Sequence, residues 1–322
     1  MDTTHDIKSF EEFYTTRLQP LIDNLKKEAG AAGNWGIIAP VTAFLALLVF
    51  VAYQAGYIHG NGGLAIFLCI VAIAASIYMY TNKNDRYTKD YKETIIKEII
   101  TFLHPGINYK PDEVIAKQEY KYSGLFRRRF DYYDGDDYME GVYKNVPFRC
   151  SELHTQYEKG SKAIGGVRLG TIFKGLFFVA EINKRFRAGT YIWSHGEEQV
   201  GGSVADERYR LMAAPHVYKI KLQNNVAGFE NAFSVYSTDP AEAGMIVTNT
   251  MAERLLRFKK QLNRDVELSF VAGRCYVAIG IQEDLFEPSG FDTDDREEVK
   301  KYFFTMLLIL SIINQLHLNE FV

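Results

Sequence analysis

GIIAPVTAFLALLVFVAYQAGY, residues 36–57, and LAIFLCIVAIAASIYMY, residues 64–80, decide how this chain is interpreted. Neither stretch contains Asp, Glu, Lys or Arg, and the loop His59-Gly60-Asn61-Gly62-Gly63 separates them. At about 1.5 Å per residue, helices of these lengths reach roughly 33 Å and roughly 26 Å, against a hydrocarbon core of about 30 Å. The sequence therefore predicts a transmembrane hairpin with spans at about 36–57 and 64–80.

Two alternatives compete with a transmembrane hairpin. A cleaved signal peptide fits poorly, because a segment with several acids precedes the first apolar run and a second run follows it. Two buried helices of a soluble domain are the other alternative, but helices that are apolar on every face suit lipid better. Under the positive-inside rule, both termini are expected in the cytoplasm, because basic residues flank the hairpin and are absent from its loop: Lys26, Lys27, Lys83, Arg86, Lys89 and Lys92.

Composition indicates what kind of protein the remainder of the chain forms. Although 47% of the 322 residues are hydrophobic, the mean hydropathy is −0.15, so a large ordinary domain must offset the apolar runs. The net charge of −3 lacks the basic excess of a nucleic-acid binder. The sequence predicts an amphipathic N-terminal helix at 1–34, the hairpin at 35–82 and a cytoplasmic α+β domain at 83–322.

Elements of the large domain can be read from local patterns. Val266–Val271 and Cys275–Ile281 are predicted to pair as a hairpin through Ala272-Gly273-Arg274. Asp239-Pro240 is typical of a helix start, and another helix is expected at about 249–261. A long C-terminal helix should cover about 294–317. We therefore predict an α+β fold with one or more antiparallel sheets and a closing helix.

Aromatic-rich segments in a particular order resemble a known family. They are Phe13-Tyr14, Ser123-Gly124-Leu125-Phe126, Gly135-Asp136-Asp137-Tyr138, Phe173-Lys174-Gly175-Leu176-Phe177-Phe178, Phe233-Ser234-Val235-Tyr236-Ser237, Glu253-Arg254-Leu255-Leu256 and Phe286-Glu287-Pro288. This set is similar to the bacterial domain-of-unknown-function family 3137, whose members are uncharacterised membrane proteins with an N-terminal transmembrane hairpin. The resemblance implies a bacterial inner-membrane protein. It implies no activity and no catalytic residues.

Candidate sites in the sequence are few. An acidic segment at 131–140 invites a calcium interpretation, but a calcium loop that starts at Asp131 would have Asp136 where glycine is required. A solvated loop, partly neutralised by Arg127-Arg128-Arg129, is the better interpretation of that segment. Lys184, Arg185 and Arg187 form a second basic group at a predicted hairpin tip, without adjacent acids. They are candidates for contact with lipid or phosphate, and exposed turn charge is the alternative.

No catalytic constellation is apparent, so the sequence predicts neither catalytic residues, nor a metal site, nor a cofactor. The expected function is that of a membrane-anchored cytoplasmic binding or scaffold module. Recognition of a phospholipid headgroup at the inner leaflet is the first alternative, and an enzyme that acts on a membrane-associated substrate is the second. The expected partners are the lipid bilayer and a membrane-associated protein, without nucleic acid, and homo-oligomerisation stays open.

Overall fold

The chain divides into two compact units. The computed structural model describes residues 9–57, 62–126, 128–160, 166, 168–184, 186–195, 217–222, 226–288 and 295–321. Unit 1 comprises Met1–Ile99 with Phe286–Phe303, and unit 2 comprises Ile100–Leu285 with Phe304–Val322.

Helices make up the described part of unit 1. A π-helical turn at Tyr14–Leu18 leads into α1, Gln19–Gln54, and α2 follows at Gly62–Tyr91. A second π-helical turn at Lys92–Ile96 then leads into α3, Lys97–Leu103. The two long helices contact each other as a hairpin.

The predicted membrane spans are not supported. Within the described part of the chain, no helix combines the length and the apolar character needed to span a membrane. The helix boundaries differ from those of the apolar runs. Helix α1 begins at Gln19, before the charged residues Lys26 and Lys27, and α2 continues past Asp85 and Arg86 to Tyr91. The transmembrane hairpin, and with it the predicted multi-pass inner-membrane location with both termini cytoplasmic, is therefore wrong. Residues 59–61 of the predicted loop lie outside the described residues.

The amphipathic N-terminal segment packs against its own chain. Phe10 and Phe13 are buried, and their rings lie 5.3 Å and 6.4 Å from that of Phe303. Tyr91 makes an edge contact with Tyr302 at 6.3 Å. The apolar stripe of this segment is thus satisfied inside unit 1.

Unit 2 is built on a nine-stranded antiparallel sheet with the strand order β1-β2-β3-β4-β9-β8-β5-β7-β6. Its strands are β1 Asn108–Lys110, β2 Tyr132–Tyr143, β3 Val146–Lys159, β4 Arg168–Glu181, β5 Thr190–Ser194, β6 Tyr218–Ile220, β7 Phe233–Ser237, β8 Val266–Val271 and β9 Arg274–Gly280. The helices of this unit are α4 Lys117–Tyr122, α5 Phe229–Ala232, α6 Pro240–Ile246 and α7 Asn249–Leu262. The last helix, α8 Asp295–Gln315, belongs to unit 1 as far as Phe303 and to unit 2 beyond it, and a 3₁₀ turn follows at Leu318–Phe321. The α+β class, the antiparallel sheet and the long C-terminal helix are as predicted.

The acidic segment is not the predicted loop. It lies largely in β2, where Asp136 pairs with Glu152 and Met139 with Cys150. The register shifts between these two pairs, and Asp137 takes a left-handed φ of 55° there. Because the acids interrupt the alternation of a strand, the sequence pattern concealed a strand that long-range pairing stabilises.

Gly175 allows β4 to approach β9 closely. Its φ is +141°, and a Cβ placed on it would lie 2.2 Å from the carbonyl oxygen of Ile279 and 2.5 Å from the nitrogen of Ile281. Both obstacles are backbone atoms of the neighbouring chain segment, so no side-chain rotation can relieve the clash. The ladder between these strands therefore requires glycine at this position.

We predict that Gly175→Ala lowers the free energy of unfolding of the full chain by at least about 2 kcal/mol, because it adds strain at a positive φ and a backbone clash. Gly244→Ala is the matched control, since no atom lies within 4 Å of a Cβ at this helical position. The control should be neutral or slightly stabilising. Denaturant unfolding that gave both variants the same midpoint would contradict the structure.

Candidate anion-binding cleft

Helix α7 separates an apolar face from a charged one. The Thr248 hydroxyl caps its first turn by accepting the N–H of Met251 at 3.3 Å. Met251, Leu255 and Phe258 are buried on one face. The helix ends where Asn263 adopts a left-handed conformation. This arrangement keeps the basic residues of the helix away from the core.

A basic cleft lies where α7 ends, beside the start of β8 and the end of β9. Its volume is about 730 Å³, within the usual range for a small-molecule site. The sides include Ala232 and Leu256, and Gly280 contributes backbone without a side chain. Four basic side chains and one acid also line it: Arg257, Lys259, Lys260, Arg264 and Asp265.

Two of these cations, Lys259 and Arg264, already form ion pairs with acidic residues. Lys259 Nζ donates to the carbonyl oxygen of His195 at 2.6 Å and lies 3.3 Å from Asp265 Oδ1. An Arg264 guanidinium nitrogen lies 3.1 Å from Glu283 Oε2.

The other two cations of the cleft have no acidic partner among the described residues. Arg257 and Lys260 are exposed, and neither forms an ion pair within the described part of the chain. The cleft therefore keeps two positive charges available to an external anion.

The chemistry of the cleft suits binding more than reaction. Guanidinium and ammonium groups donate charge-assisted hydrogen bonds to phosphate or carboxylate oxygens. The adjacent end of α7 carries the partial negative charge of a helix C-terminus, so the side chains must supply the attraction. The described lining contains no His, Cys, Ser or Thr that could act as a nucleophile.

The basic group predicted from the sequence lies elsewhere. The Lys184 N–H donates to the carbonyl oxygen of Phe321 at 3.2 Å, and the Arg187 N–H donates to Glu242 Oε1 at 2.9 Å. Arg185 lies outside the described residues. None of these residues lines the basic cleft, and their contact with lipid or phosphate stays a prediction. The density of basic residues from Arg257 to Arg264 was the sequence signal that could have located the cleft.

Comparison with known proteins finds a family match for these residues. Residues 171–318 match the sequence profile of a protein of unknown function, DUF3137. Over these residues, the chain is similar to the DUF3137 family. The match confirms the resemblance found in the sequence motifs, and it includes every residue that lines the basic cleft. The hairpin of unit 1 lies outside the matched part.

Other comparisons add little to the DUF3137 assignment. The crystal structure of the mycobacterial trehalose monomycolate transport factor A, TtfA, shares 7% identity with this chain at a TM-score of 0.32. The similarity covers 69% of this chain and 94% of that one, and its TM-score is too low to support an argument about fold or function. No curated protein matches the chain.

A cluster of carboxylates lies outside the DUF3137 match. Oxygen atoms of Asp136, Asp137 and Glu152 fall within 4.8 Å of one another. The Tyr109 hydroxyl donates to Asp137 Oδ1, and the Leu285 N–H donates to Glu152 Oε2 at 2.8 Å. These internal bonds account for the cluster, and we assign it no metal.

Burial perturbs the pKa of the Glu152 carboxyl group. The side chain is buried, and burial raises its pKa to about 7, with a smaller contribution from the charge of Asp136. A carboxyl group with a raised pKa costs stability once it ionises in the folded state. That cost is absent at pH values below the pKa of the unfolded chain and is complete above about pH 7.

We predict that Glu152→Gln stabilises the full chain at pH 8, by on the order of 3 kcal/mol, and has little effect near pH 4. The amide oxygen can still accept the Leu285 N–H, so the substitution removes the charge and keeps the bond. Denaturant unfolding across this pH range tests the prediction. The exposed Glu253→Gln is the control, and equal pH profiles for the two variants would contradict the assigned environment of Glu152.

Proposed function

We propose that unit 2 is a binding module that holds a phosphate-bearing anion in the basic cleft at the end of α7. The observation that carries this proposal is the presence of Arg257 and Lys260 in one cleft, with no acidic partner among the described residues. The engaged cations, Lys259 and Arg264, add positive potential at the same place. An anion that enters the cleft would complete the charge balance.

The basic cleft carries an excess of positive charge. Four basic groups and one carboxylate line the cleft, so the side chains that face a ligand are net positive. A hydrogen bond between charged groups contributes roughly 1.5–3 kcal/mol, and a phosphate offers several acceptor oxygens. Two such bonds in a partly enclosed site support measurable affinity, which added salt should weaken.

The apolar part of the lining indicates what accompanies the phosphate. Ala232 and Leu256 lie beside the cations and offer contact to a carbon chain or backbone of the ligand. A phospholipid headgroup and a soluble phosphate ester share this chemistry. The experiments below separate the two sources.

Other functions expected from the sequence have less support. The scaffold interpretation depended on a membrane anchor, so we base the proposal on the cleft instead. The expected bilayer and membrane-protein partners stay predictions. An enzyme would need a nucleophile or general base in the cleft, and the described lining offers no His, Cys, Ser or Thr for this role, while its acid, Asp265, is ion-paired.

We predict that Arg257→Glu/Lys260→Glu lowers the affinity of the full chain for glycerol 3-phosphate at least tenfold, because two attractive charges become repulsive. Isothermal titration calorimetry at low salt measures this change. Lys219→Glu/Lys221→Glu is the matched control, since it makes the same change of charge at exposed positions around β6. The control should bind as the wild type does.

The second arm uses vesicles. If the ligand is a lipid headgroup, vesicles that contain phosphatidylglycerol should bind the wild type and the control more strongly than the cleft variant. Phosphatidylcholine vesicles measure association that does not depend on the cleft. The proposal fails if the cleft variant matches the control in both arms, or if the wild type binds neither probe.

A further inference from the structure

A second pocket lies at the end of α4, beside Tyr191 of the aromatic core of unit 2. Helix α4 ends there at Tyr122, and a turn at Ser123 follows it. The pocket has a volume of about 710 Å³, and no acidic residue is part of its described lining. We call it the aromatic–basic pocket, and its functional groups are three cations and four rings: Lys121, Arg128, Arg129, Tyr122, Phe126, Phe130 and Tyr191.

The turn after α4 leaves space for the Tyr191 ring beside the pocket. Gly124 has a φ of +65°, and a Cβ placed on it would lie 2.7 Å from Cε1 of Tyr191. Ser123 fixes the turn, because its hydroxyl donates to the carbonyl oxygen of Tyr120 at 2.7 Å and accepts the Leu125 N–H at 3.2 Å. Glycine therefore lets the Tyr191 ring form one wall of the pocket.

The cations of the pocket lie on aromatic rings or face solvent. Lys121 Nζ is 5.2 Å from the centre of the Phe130 ring, and the Arg128 guanidinium carbon is 3.3 Å from that of Tyr157. A guanidinium stacked on a ring still presents N–H groups at its edge. Arg129 is exposed and forms no ion pair with a described residue. The sequence-based interpretation of the arginine triplet as a salt-bridged turn does not hold for Arg129.

Tyr122 supplies an exposed aromatic surface. Its side chain is 63% exposed, and it makes no ring contact with another described residue. Aromatic rings stack on the faces of planar ligands, and this interaction tolerates many ring types. An exposed ring beside three cations is thus suited to a ligand that combines a flat ring with an acidic group.

We infer that the aromatic–basic pocket binds a planar aromatic anion, such as a mononucleotide, with its ring on Tyr122 and its acidic group on Lys121 and Arg129. The volume accommodates a ligand of this size. The site is separate from the basic cleft, with which it shares no lining residue. The inference therefore does not rest on the proposed function of that cleft.

Three probes separate the parts of the ligand. AMP carries both a ring and a phosphate, ribose 5-phosphate lacks the ring, and adenosine lacks the phosphate. In the Arg257→Glu/Lys260→Glu background, which removes phosphate binding at the basic cleft, we expect AMP to bind at least about tenfold more tightly than either of the other two, because each lacks one of the two interactions. Fluorescence titration or calorimetry at low salt measures the three affinities.

Variants then locate the binding. Tyr122→Ala should weaken AMP binding about tenfold through loss of stacking, and Tyr122→Phe should restore it. Tyr218→Ala is the matched control, because Tyr218 is 59% exposed on β6 and lies outside the pocket. Lys121→Gln/Arg129→Gln should also lower AMP affinity, and all of these variants are measured in the Arg257→Glu/Lys260→Glu background.

The inference is overturned if AMP binds no more tightly than ribose 5-phosphate, or if Tyr122→Ala binds AMP as the control does. It is equally overturned if AMP does not bind at all. If AMP bound the wild type but not the Arg257→Glu/Lys260→Glu background, the nucleotide would lie in the basic cleft and the aromatic–basic pocket would be rejected. Circular dichroism of each variant shows whether the fold is retained.

Discussion

The pairing of β4 with β9 is the constraint on which unit 2 depends. Its ladder runs from the pair Gly175 and Gly280 to the pair Glu181 and Arg274. It joins the meander β1 to β4 to the remaining five strands, so without it the sheet would separate into two parts. Seven residues of β9 at about 3.4 Å each place the ends of this ladder roughly 20 Å apart. Gly280, at one end, lines the basic cleft.

The other end of the ladder holds the helix that carries the aromatic–basic pocket. Glu119 of α4 accepts hydrogen bonds from Arg274 at 3.1 Å and from the Tyr276 hydroxyl at 2.8 Å. Arg149 of β3 adds a third bond to the same carboxylate at 3.3 Å. Glu119 is 15% exposed, so these charge-assisted bonds are only partly screened by water. They fix a short helix that could not hold its position through backbone hydrogen bonds alone.

Local signals in the sequence were sufficient for several elements. The hairpin of β8 and β9 was predicted from two apolar runs around a glycine turn, and the two strands pair from Val266 to Ile279. Asp239 caps α6 as expected, because its carboxylate accepts the N–H groups of Ala241 and Glu242. Other features depend on contacts distant in the chain. The apolar runs did not show where α1 and α2 end. The acidic segment forms strand β2 because it pairs with β3, and this pairing is not visible in the local sequence. The basic cleft forms only where the ends of α7 and β9 and the start of β8 come together in the fold.

The central claim is that unit 2 carries two separate anion sites, one at the end of α7 and one at the end of α4. Hydrogen–deuterium exchange of the full chain, with glycerol 3-phosphate or AMP added, tests this claim most directly. Glycerol 3-phosphate should slow exchange in residues 256–265 and not in residues 121–130, whereas AMP should slow exchange in residues 121–130 even in Arg257→Glu/Lys260→Glu. Failure of either expected protection, or protection of residues 121–130 by glycerol 3-phosphate, would contradict the claim.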